Sequence, residues 1–386
     1  MGSVTELEAF LARLSREPDI DAPELQAYDA ADLLLLDAAR SLKLRDGDVV
    51  VVGDRHGALT LGLLHETALR GLRVHQDGVL GERALTSNAT RVLGASPAQQ
   101  TELFQHHPLG SSLFGGATLV VMQLPRSLSE LEEIAWHIAT HASPDVVVIA
   151  GGRDKHMSHS MNERLGRYFG EVTASRGWRK ARMLTARGAI RPLGDPPFAL
   201  HARDPELDFD LFAFGATFGG TAFDHGSRLL VQTLRERPPS PDPTHIVDLG
   251  CGNGVLAVTA ALQWPRARVL ATDQSAAAVA ATKLTAQAAG VADRVEVHRA
   301  DATDSVPTGW ADLVLLNPPF HTGATVHTAV AHRLMRAVPR VLQPGGELRL
   351  VFNSGLGYRP LVERIIGPTT QLARNRTFTV LSSIAR

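Results

Sequence analysis

A glycine-rich loop at residues 248–254, Asp-Leu-Gly-Cys-Gly-Asn-Gly, is the strongest chemical signal in the chain. Glycine tolerates positive φ and has no Cβ, so a strand that ends in closely spaced glycines can turn sharply and bring its backbone against a ligand. A nicotinamide dinucleotide fingerprint would read G-x-G-x-x-G. The spacing here is G-x-G-x-G, which argues against a dinucleotide site.

Two aspartates follow the next two predicted strands. Asp273 ends the strand near 268–272, where its carboxylate can accept hydrogen bonds from two ribose hydroxyls. Asp301 closes the strand near 294–298. A lone aspartate at a strand end is usually a turn or cap residue. Acids in register with a glycine-rich loop instead favour a ligand site at the carboxyl edge of an open α/β sheet.

The loop and the acid that precedes it resemble motif I of class I S-adenosylmethionine-dependent methyltransferases. In those enzymes the loop packs against the methionine and ribose parts of the cofactor, and the acid in the place of Asp301 binds the adenine amino group. The resemblance implies S-adenosyl-L-methionine as the cofactor. It implies these cofactor-binding residues: Asp248, Gly250, Cys251, Gly252, Asn253, Gly254, Asp273, Gln274, Asp301, Ala302 and Asn317.

The tetrapeptide Asn317-Pro318-Pro319-Phe320 follows a predicted strand at 311–316 and resembles the NPPF/Y motif of methyltransferases that act on a conjugated amino nitrogen. Such a nitrogen is a poor nucleophile because its lone pair is delocalised. The Asn317 side-chain oxygen and the Pro318 backbone oxygen can hold both amino hydrogens, on a backbone that the prolines fix. Phe320 offers a flat face for stacking the target base. We therefore predict that these four residues are catalytic.

The elements that position these residues occur twice along the chain, as a buried strand, a tight turn and a helix start. The paired landmarks are Gly53 with Gly250, Gly57 with Gly254, Asp77 with Asp273 and Pro125 with Pro318, at offsets of 197, 197, 196 and 193 residues. Short β-branched runs alternate with helical patterns in both halves, which is typical of a mainly parallel sheet with helices on both faces. We predict two tandem Rossmann-like α/β domains, 1–200 and 201–386, divided at a proline cluster.

In the second half, the pattern predicts five strands and one helix that precedes them. The strands lie near 245–249, 268–272, 294–298, 311–316 and 347–353, and the helix spans 227–237. Gly345-Gly346 is expected to break the chain just before the last strand.

The first half is predicted to be a degenerate copy that binds no cofactor. Arg55 and His56 stand where the second half has Gly252 and Asn253, and their side chains would crowd a bound cofactor. By the same alignment, Leu124 stands in the place of the catalytic asparagine and cannot accept a hydrogen bond. Only the second domain is therefore expected to be active.

Further motifs extend the resemblance over nearly the whole chain. They lie at 217–219, 224–228, 317–321, 345–348 and 376–380 in the second half and at 124–128, 149–156 and 178–182 in the first. They are similar to the RlmG/RsmC family of ribosomal RNA guanine-N2 methyltransferases, which has the same duplicated architecture, and the amino half is closer to the 23S-directed RlmG branch. The resemblance implies methyl transfer to a guanine in ribosomal RNA, exposed from its helix.

A basic stretch at 176–191 belongs to the first domain and contains no acid. Phosphate contacts from arginine and lysine confer salt-dependent RNA affinity on a protein. The residues predicted to bind RNA are Arg176, Arg179, Lys180 and Arg182. The alternative is that this stretch is a solvated face and that the first domain only scaffolds the second.

Composition excludes several other classes of protein. The 386 residues carry 39 basic and 40 acidic side chains, so a uniformly basic coat is absent. The single cysteine, Cys251, cannot form an intramolecular disulfide, which suits the cytoplasm. No apolar run spans a bilayer, and no signal-peptide core is present. Asp154, His156 and His159 lack further ligands, so no metal is expected.

The same residues leave two rival functions open. The tetrapeptide also serves enzymes that methylate adenine N6 or the glutamine side chain of a release factor. A non-catalytic ribosome-assembly factor that binds RNA is the second rival. The expected partner is ribosomal RNA or an assembling ribosomal subunit, bound by a monomer. The identity of the guanine and the role of His321 stay open.

Overall fold

The computed structural model describes residues 2–20, 25–42, 44–319 and 325–386, with side chains from 6–20, 25–42, 44–319 and 328–386. Backbone contacts divide the chain into two units, Met1–Phe198 and Ala199–Arg386. No helix in the described ranges is long and apolar enough to cross a membrane. The same ranges hold no group of three or more metal-binding side chains.

The first unit alternates strands and helices. Its helices are α1 (Gly2–Leu11), α2 (Ala30–Arg40), α3 (Ala58–Glu66), α4 (Val79–Leu93), α5 (Pro97–Leu103), α6 (Ser111–Phe114), α7 (Leu128–His141) and α8 (His159–Gly166). Its strands are β1 (Val49–Val52), β2 (Leu72–His75), β3 (Phe104–His106), β4 (Leu119–Gln123), β5 (Val147–Arg153), β6 (Phe169–Ala174) and β7 (Ala181–Ala189).

These strands form one sheet of seven strands, counted over the described residues, in the order β3-β2-β1-β4-β5-β7-β6. Strands β1 to β5 pair in parallel, whereas β7 runs antiparallel to β5 and β6. All four valines of the central strand β1 are buried, as expected when helices cover both faces of a parallel sheet.

The second unit repeats this plan after a short hairpin. Its helices are α9 (His225–Glu236), α10 (Val255–Gln263), α11 (Ala276–Ala288), α12 (Thr325–Val341) and α13 (Arg359–Ile365). Its strands are β8 (Leu200–Arg203) and β9 (Asp210–Ala213) in the hairpin, then β10 (His245–Leu249), β11 (Arg268–Asp273), β12 (Val295–Arg299), β13 (Ala311–Leu316), β14 (Leu342–Asn353), β15 (Thr369–Arg374) and β16 (Phe378–Ile384).

The main sheet of the second unit has the order β12-β11-β10-β13-β14-β16-β15, which is the order of the first unit position for position. The prediction of one α/β fold present twice is therefore confirmed. The central strand β10 lies between β11 and β13, and all three run parallel. Their carboxyl ends consequently meet at one edge of the sheet, where Asp273 ends β11, the glycine loop follows β10 and Asn317 follows β13.

The position of the glycine pair Gly345-Gly346 relative to β14 differs from the prediction. Gly345 and Gly346 lie inside β14 and do not precede it, because the strand already begins at Leu342. Pairing with β13 is irregular there: Ala311 lies opposite Leu342, but Leu313 lies opposite Glu347. Gly345 has φ +79, so the pair forms a bulge that a glycine accommodates.

Strand register corrects two of the pairings between the halves. Leu249, the last residue of β10, lies opposite Thr272 and Leu316 in its neighbouring strands. Val52, the last residue of β1, lies opposite His75 and Met122.

One residue further along each strand, Gln76 is therefore the counterpart of Asp273, and Gln123 is the counterpart of Asn317. The predicted counterparts, Asp77 and Leu124, are wrong. The acid and proline landmarks follow the strands in both halves, but they stand one residue later in the first half than register requires.

Candidate active site

The glycine loop between β10 and α10 presents an open backbone surface. The N–H groups of Gly250 and Cys251 both donate to the carbonyl of Thr272, at 2.8 and 3.0 Å, and fasten the loop to the end of β11. Gly250 and Gly252 have φ of +82 and +56. A Cβ at either position would meet no described atom within 4 Å, so a ligand can approach this backbone closely.

The third glycine has a packing role. A Cβ on Gly254 would lie 3.0 Å from the Cα of Thr282, so this glycine lets α10 start directly against α11. The Thr282 hydroxyl lies 3.2 Å from the Cys251 sulfur. Burial raises the pKa of the Cys251 thiol well above its ordinary value, and the charge of Asp273 adds to this. The thiol therefore packs as a neutral group and is no nucleophile.

Asp248 lies beneath the loop. It is fully buried, and its Oδ2 accepts the N–H of Ala257 at 2.9 Å, which satisfies a donor in the first turn of α10. Burial raises the pKa of Asp248 to about 7, and the nearby charge of Asp273 also raises it. Asp248 therefore stabilises the junction between the glycine loop and α10 from the buried side of the loop.

Asn253 also faces away from the open surface. Its Nδ2 donates to the carbonyls of Gly220 and Ala222, both at 3.0 Å, and its Oδ1 accepts the N–H of Val255 at 3.3 Å. The side chain therefore ties the glycine loop to the segment that leads into α9.

Asp273 stands at the carboxyl end of β11, beside the open glycines. Its Oδ2 accepts the N–H of Gly252 at 3.1 Å, and its Oδ1 accepts the N–H of Ser275 at 2.9 Å. Gln274, next in the chain, is exposed.

Asp301 has a partner that the sequence did not reveal. Arg333 of α12 forms an ion pair with its carboxylate. The following residue, Ala302, has φ +45, which is rare for a residue with a Cβ, and its carbonyl accepts the hydroxyl of Thr272 at 2.9 Å. The end of β12 is thus held by groups from β11 and α12.

Asn317, directly after β13, is held by two groups of α9. Its Nδ2 donates to Oδ2 of Asp224 at 2.7 Å and to Oγ of Ser227 at 2.7 Å. The reversed amide would place its oxygen against the Asp224 carboxylate, so these contacts fix the orientation. The Oδ1 atom is buried and has no hydrogen-bond partner among the described residues. A buried acceptor of this kind needs a donor.

Asp224 positions this arrangement as the N-cap of α9. Its carboxylate accepts the N–H groups of Gly226 at 3.2 Å and Ser227 at 2.8 Å. No site role was predicted for Asp224 or Ser227. An aspartate before an amphipathic helix signals an N-cap, but only the fold brings that cap to Asn317.

The remainder of the predicted catalytic tetrapeptide is partly described. Pro318 is buried and Pro319 is half-buried, directly after Asn317. Phe320 and His321 lie outside the described residues.

Two of the four predicted RNA-binding side chains are already paired. Arg179 forms an ion pair with Glu8, and its guanidinium lies 4.5 Å from the centre of the Trp178 ring. Arg182 lies 3.6 Å from a carboxylate oxygen of Asp154.

The other two side chains of that set, Arg176 and Lys180, are exposed. Neither makes an ion pair or a side-chain hydrogen bond with another described residue. Within this turn, the available positive charge therefore lies on Arg176 and Lys180.

Comparison with known proteins identifies relatives over almost the whole chain. The family "Methyltransferase small domain" matches residues 209–382, and "RLMG N-terminal domain" matches residues 3–189. Proteins named "Ribosomal RNA large subunit methyltransferase G" are 33% identical in Streptomyces coelicolor, covering 96% of this chain and 97% of that one, and 31% identical in Shewanella amazonensis, covering 98% and 99%.

A solved structure has the same overall fold. It is the 16S rRNA N2 G1207 methyltransferase (RsmC) of T. thermophilus in complex with AdoMet and guanosine. The two chains are 20% identical with a TM-score of 0.73, over 97% of this chain and 100% of that one.

Proposed function

The chain belongs to the family of ribosomal RNA large subunit methyltransferases G, and we propose that it transfers a methyl group from S-adenosyl-L-methionine to the exocyclic N2 amino group of a guanine in ribosomal RNA. The observation that carries this proposal is the buried, unpartnered Oδ1 of Asn317 at the carboxyl end of β13. The names of the relatives support ribosomal RNA as the substrate class, and the position of Asn317 supports an amino nitrogen as the methyl acceptor.

An aromatic amino group fits this acceptor. The N2 amino group of guanine has two hydrogens and a lone pair that is delocalised into the ring. Asn317 Oδ1 can accept one of these hydrogens, while Asp224 and Ser227 prevent the amide from turning. Holding the amino group in one orientation directs its lone pair along the line of attack, and such positioning supplies a large share of the rate.

The edge of β10 and β11 fits S-adenosyl-L-methionine. Gly250 and Gly252 leave the backbone open, and the Asp273 carboxylate beside them is an acceptor of the kind that ribose hydroxyls need. The acidic character of this edge also suits a positively charged sulfonium. The cofactor supplies an electrophilic methyl group, and the protein supplies binding and orientation.

The first unit has lost the residues that this site requires. Gln76 replaces Asp273, and Arg55 replaces Gly252. No acid occurs at residues 107–116, after β3, whereas Asp301 follows β12. We propose that this unit binds RNA, with Arg176 and Lys180 contacting phosphates, and that the protein acts as a cytoplasmic monomer on ribosomal RNA or an assembling subunit.

The test is methyl transfer from labelled S-adenosylmethionine to deproteinised ribosomal RNA, followed by identification of the modified nucleoside. N2-methylguanosine is expected. N6-methyladenosine, or label in a release-factor glutamine instead of RNA, would overturn the proposal.

Two variants separate catalysis from binding. Asn317→Ala should lower the rate of methylation by roughly 10²–10³ and retain RNA binding, whereas Asn162→Ala, in the first unit, should keep both. An Asn317→Ala protein with full activity would show that the acceptor is not used. A wild-type protein that binds RNA without methylating it would support the assembly factor.

A further inference from the structure

The first unit contains a cavity at the edge of its sheet that corresponds to the active edge of the second unit. Its volume is about 600 Å³. It is lined by the segments that follow β1, β4 and β5 and by the segment that leads into α2. All the lining residues belong to the first unit.

Four cationic side chains line this cavity from three strand ends. Arg55 follows β1, Arg126 follows β4, and Arg153 and Lys155 belong to the end of β5 and the turn after it. None of the four makes an ion pair or a side-chain hydrogen bond with another described residue. Burial lowers the pKa of His156, which also lines the cavity, and the charges of all four cations lower it further, so all four lie near this imidazole.

The carboxylates of the cavity do not neutralise this charge. Asp54 is buried, with its oxygens accepting the N–H groups of Leu59 at 3.1 Å and Thr60 at 2.7 Å in the first turn of α3. Burial raises the pKa of Asp32 to about 8, so this carboxyl is largely protonated at neutral pH.

Two further lining groups are occupied locally. Asp29 Oδ1 caps α2 through the N–H of Ala31 at 2.7 Å. Arg16 is paired with Asp19 at 3.3 Å, so it adds no unpaired charge to the four cations.

The two units therefore differ in charge at equivalent edges. In the second unit Asp301 is paired with Arg333, and the Asp273 carboxylate suits a cofactor that has one more positive than negative charge. In the first unit, Gln76 stands in place of Asp273, and Arg55 stands where Gly252 lies open. A sulfonium would be repelled here, whereas an anion would be attracted.

We propose that this cavity binds a phosphate-bearing ligand. The guanidinium groups of Arg55, Arg126 and Arg153 offer paired N–H donors to phosphate oxygens, and Lys155 adds a point charge. The volume is within the range of small-molecule sites, about 300–1,000 Å³, and is ample for a phosphate with an attached nucleoside. The ligand is a free phosphorylated compound or a phosphodiester of RNA. This inference does not depend on the methyl-transfer activity.

The experiment titrates the full chain with inorganic pyrophosphate by calorimetry. One saturable site is expected in the wild-type protein. Arg126→Gln/Arg153→Gln should weaken it at least tenfold, and so should Arg55→Gln/Lys155→Gln, which tests the same cavity with different side chains.

The matched control is Arg45→Gln/Arg187→Gln, which removes two exposed cations of the first unit that do not line the cavity. Its affinity should stay within twofold of the wild type. Absence of saturable binding, or equal affinity in all three double variants, would overturn the proposal.

Competition identifies the source of the phosphate. Displacement of pyrophosphate by a short single-stranded RNA, lost in Arg126→Gln/Arg153→Gln but kept in the control, supports a phosphodiester of RNA. Binding that RNA leaves unchanged supports the same site for a free phosphorylated compound.

Discussion

Ser227 is predicted to act on the reaction through Asn317 alone. Its hydroxyl lies 2.7 Å from Asn317 Nδ2, while its backbone N–H is a separate contact to Asp224. Ser227→Ala removes the first contact and keeps the helix cap. A neutral hydrogen bond contributes about 1 kcal/mol, which corresponds to a roughly fivefold change at 25 °C. We expect kcat to fall about fivefold, with unchanged affinity for S-adenosylmethionine.

A double-mutant cycle separates positioning from a merely structural effect. Asn317→Ala should lower kcat by roughly 10²–10³, as the loss of one preorganised hydrogen-bonding group does in other active sites. In that background Ser227→Ala should cost nothing more, because no amide remains to be held. The coupling between the two changes is then about 1 kcal/mol.

The assay measures kcat and KM for methyl transfer to ribosomal RNA at saturating cofactor. Ser227→Thr keeps the hydroxyl and should restore most of the rate. Ser143→Ala, in the first unit, controls for loss of a hydroxyl elsewhere. If Ser227→Ala lowers kcat fivefold in both backgrounds, Ser227 does not act through Asn317 and the reasoning is refuted.

Three further predictions concern the cofactor loop, a buried acid and the RNA contacts. Gly252→Ala and Gly290→Ala each place a Cβ on a residue with positive φ, at a cost of about 1–2 kcal/mol in stability. Calorimetry should show at least tenfold weaker cofactor binding for Gly252→Ala and unchanged binding for Gly290→Ala. Equal cofactor affinities in the two variants would contradict a cofactor site on the open loop. Folding raises the pKa of Asp32 to about 8, so the folded state holds a proton between about pH 4 and 8 that the unfolded state releases. The free energy of unfolding of the wild-type protein should therefore fall with rising pH relative to that of Asp32→Asn. A difference between the two proteins that does not change with pH in denaturant titrations would contradict this. Arg176→Gln/Lys180→Gln should weaken RNA binding and lower the magnitude of the slope of log K against log salt by about 1.5, since each phosphate contact contributes roughly 0.7–0.9 to that slope. An unchanged slope would favour the alternative that the first unit only scaffolds the second.

The five parallel strands of the second sheet could be predicted from sequence because their hydrophobic runs end at distinctive residues, whereas the antiparallel strands β15 and β16 were not predicted. The run Ile246–Leu249 is buried and ends at the glycine loop, and the run 311–316 ends at Asn317. Parallel strands buried on both faces give continuous apolar runs, which are among the clearest sequence patterns.

Register across the duplication could not be predicted in the same way. Asp77 and Leu124 lie one residue beyond the true counterparts of Asp273 and Asn317, and only strand pairing distinguishes them. The error matters chemically, because Gln123 carries an amide that Leu124 lacks.

Contacts between side chains that are far apart in the sequence could not be predicted either. Arg333 follows Asp301 by 32 residues, and Ser227 precedes Asn317 by 90. No local pattern marks an arginine in the middle of a helix as the partner of a particular strand end. Such pairings depend on how α9 and α12 pack against the sheet, which the sequence does not display.

The two units share one contact whose persistence bears on its role. In the first unit, Gln123 Nε2 donates to Asp32 near the start of α2; in the second, Asn317 Nδ2 donates to Ser227 near the start of α9. The first unit retains this contact without the acids of a cofactor site, so the contact itself joins a strand end to a helix and belongs to the fold. We propose that the chemistry of the second unit depends on what is added to this contact: the unpartnered Oδ1 of Asn317 on the same sheet edge as the carboxylate of Asp273.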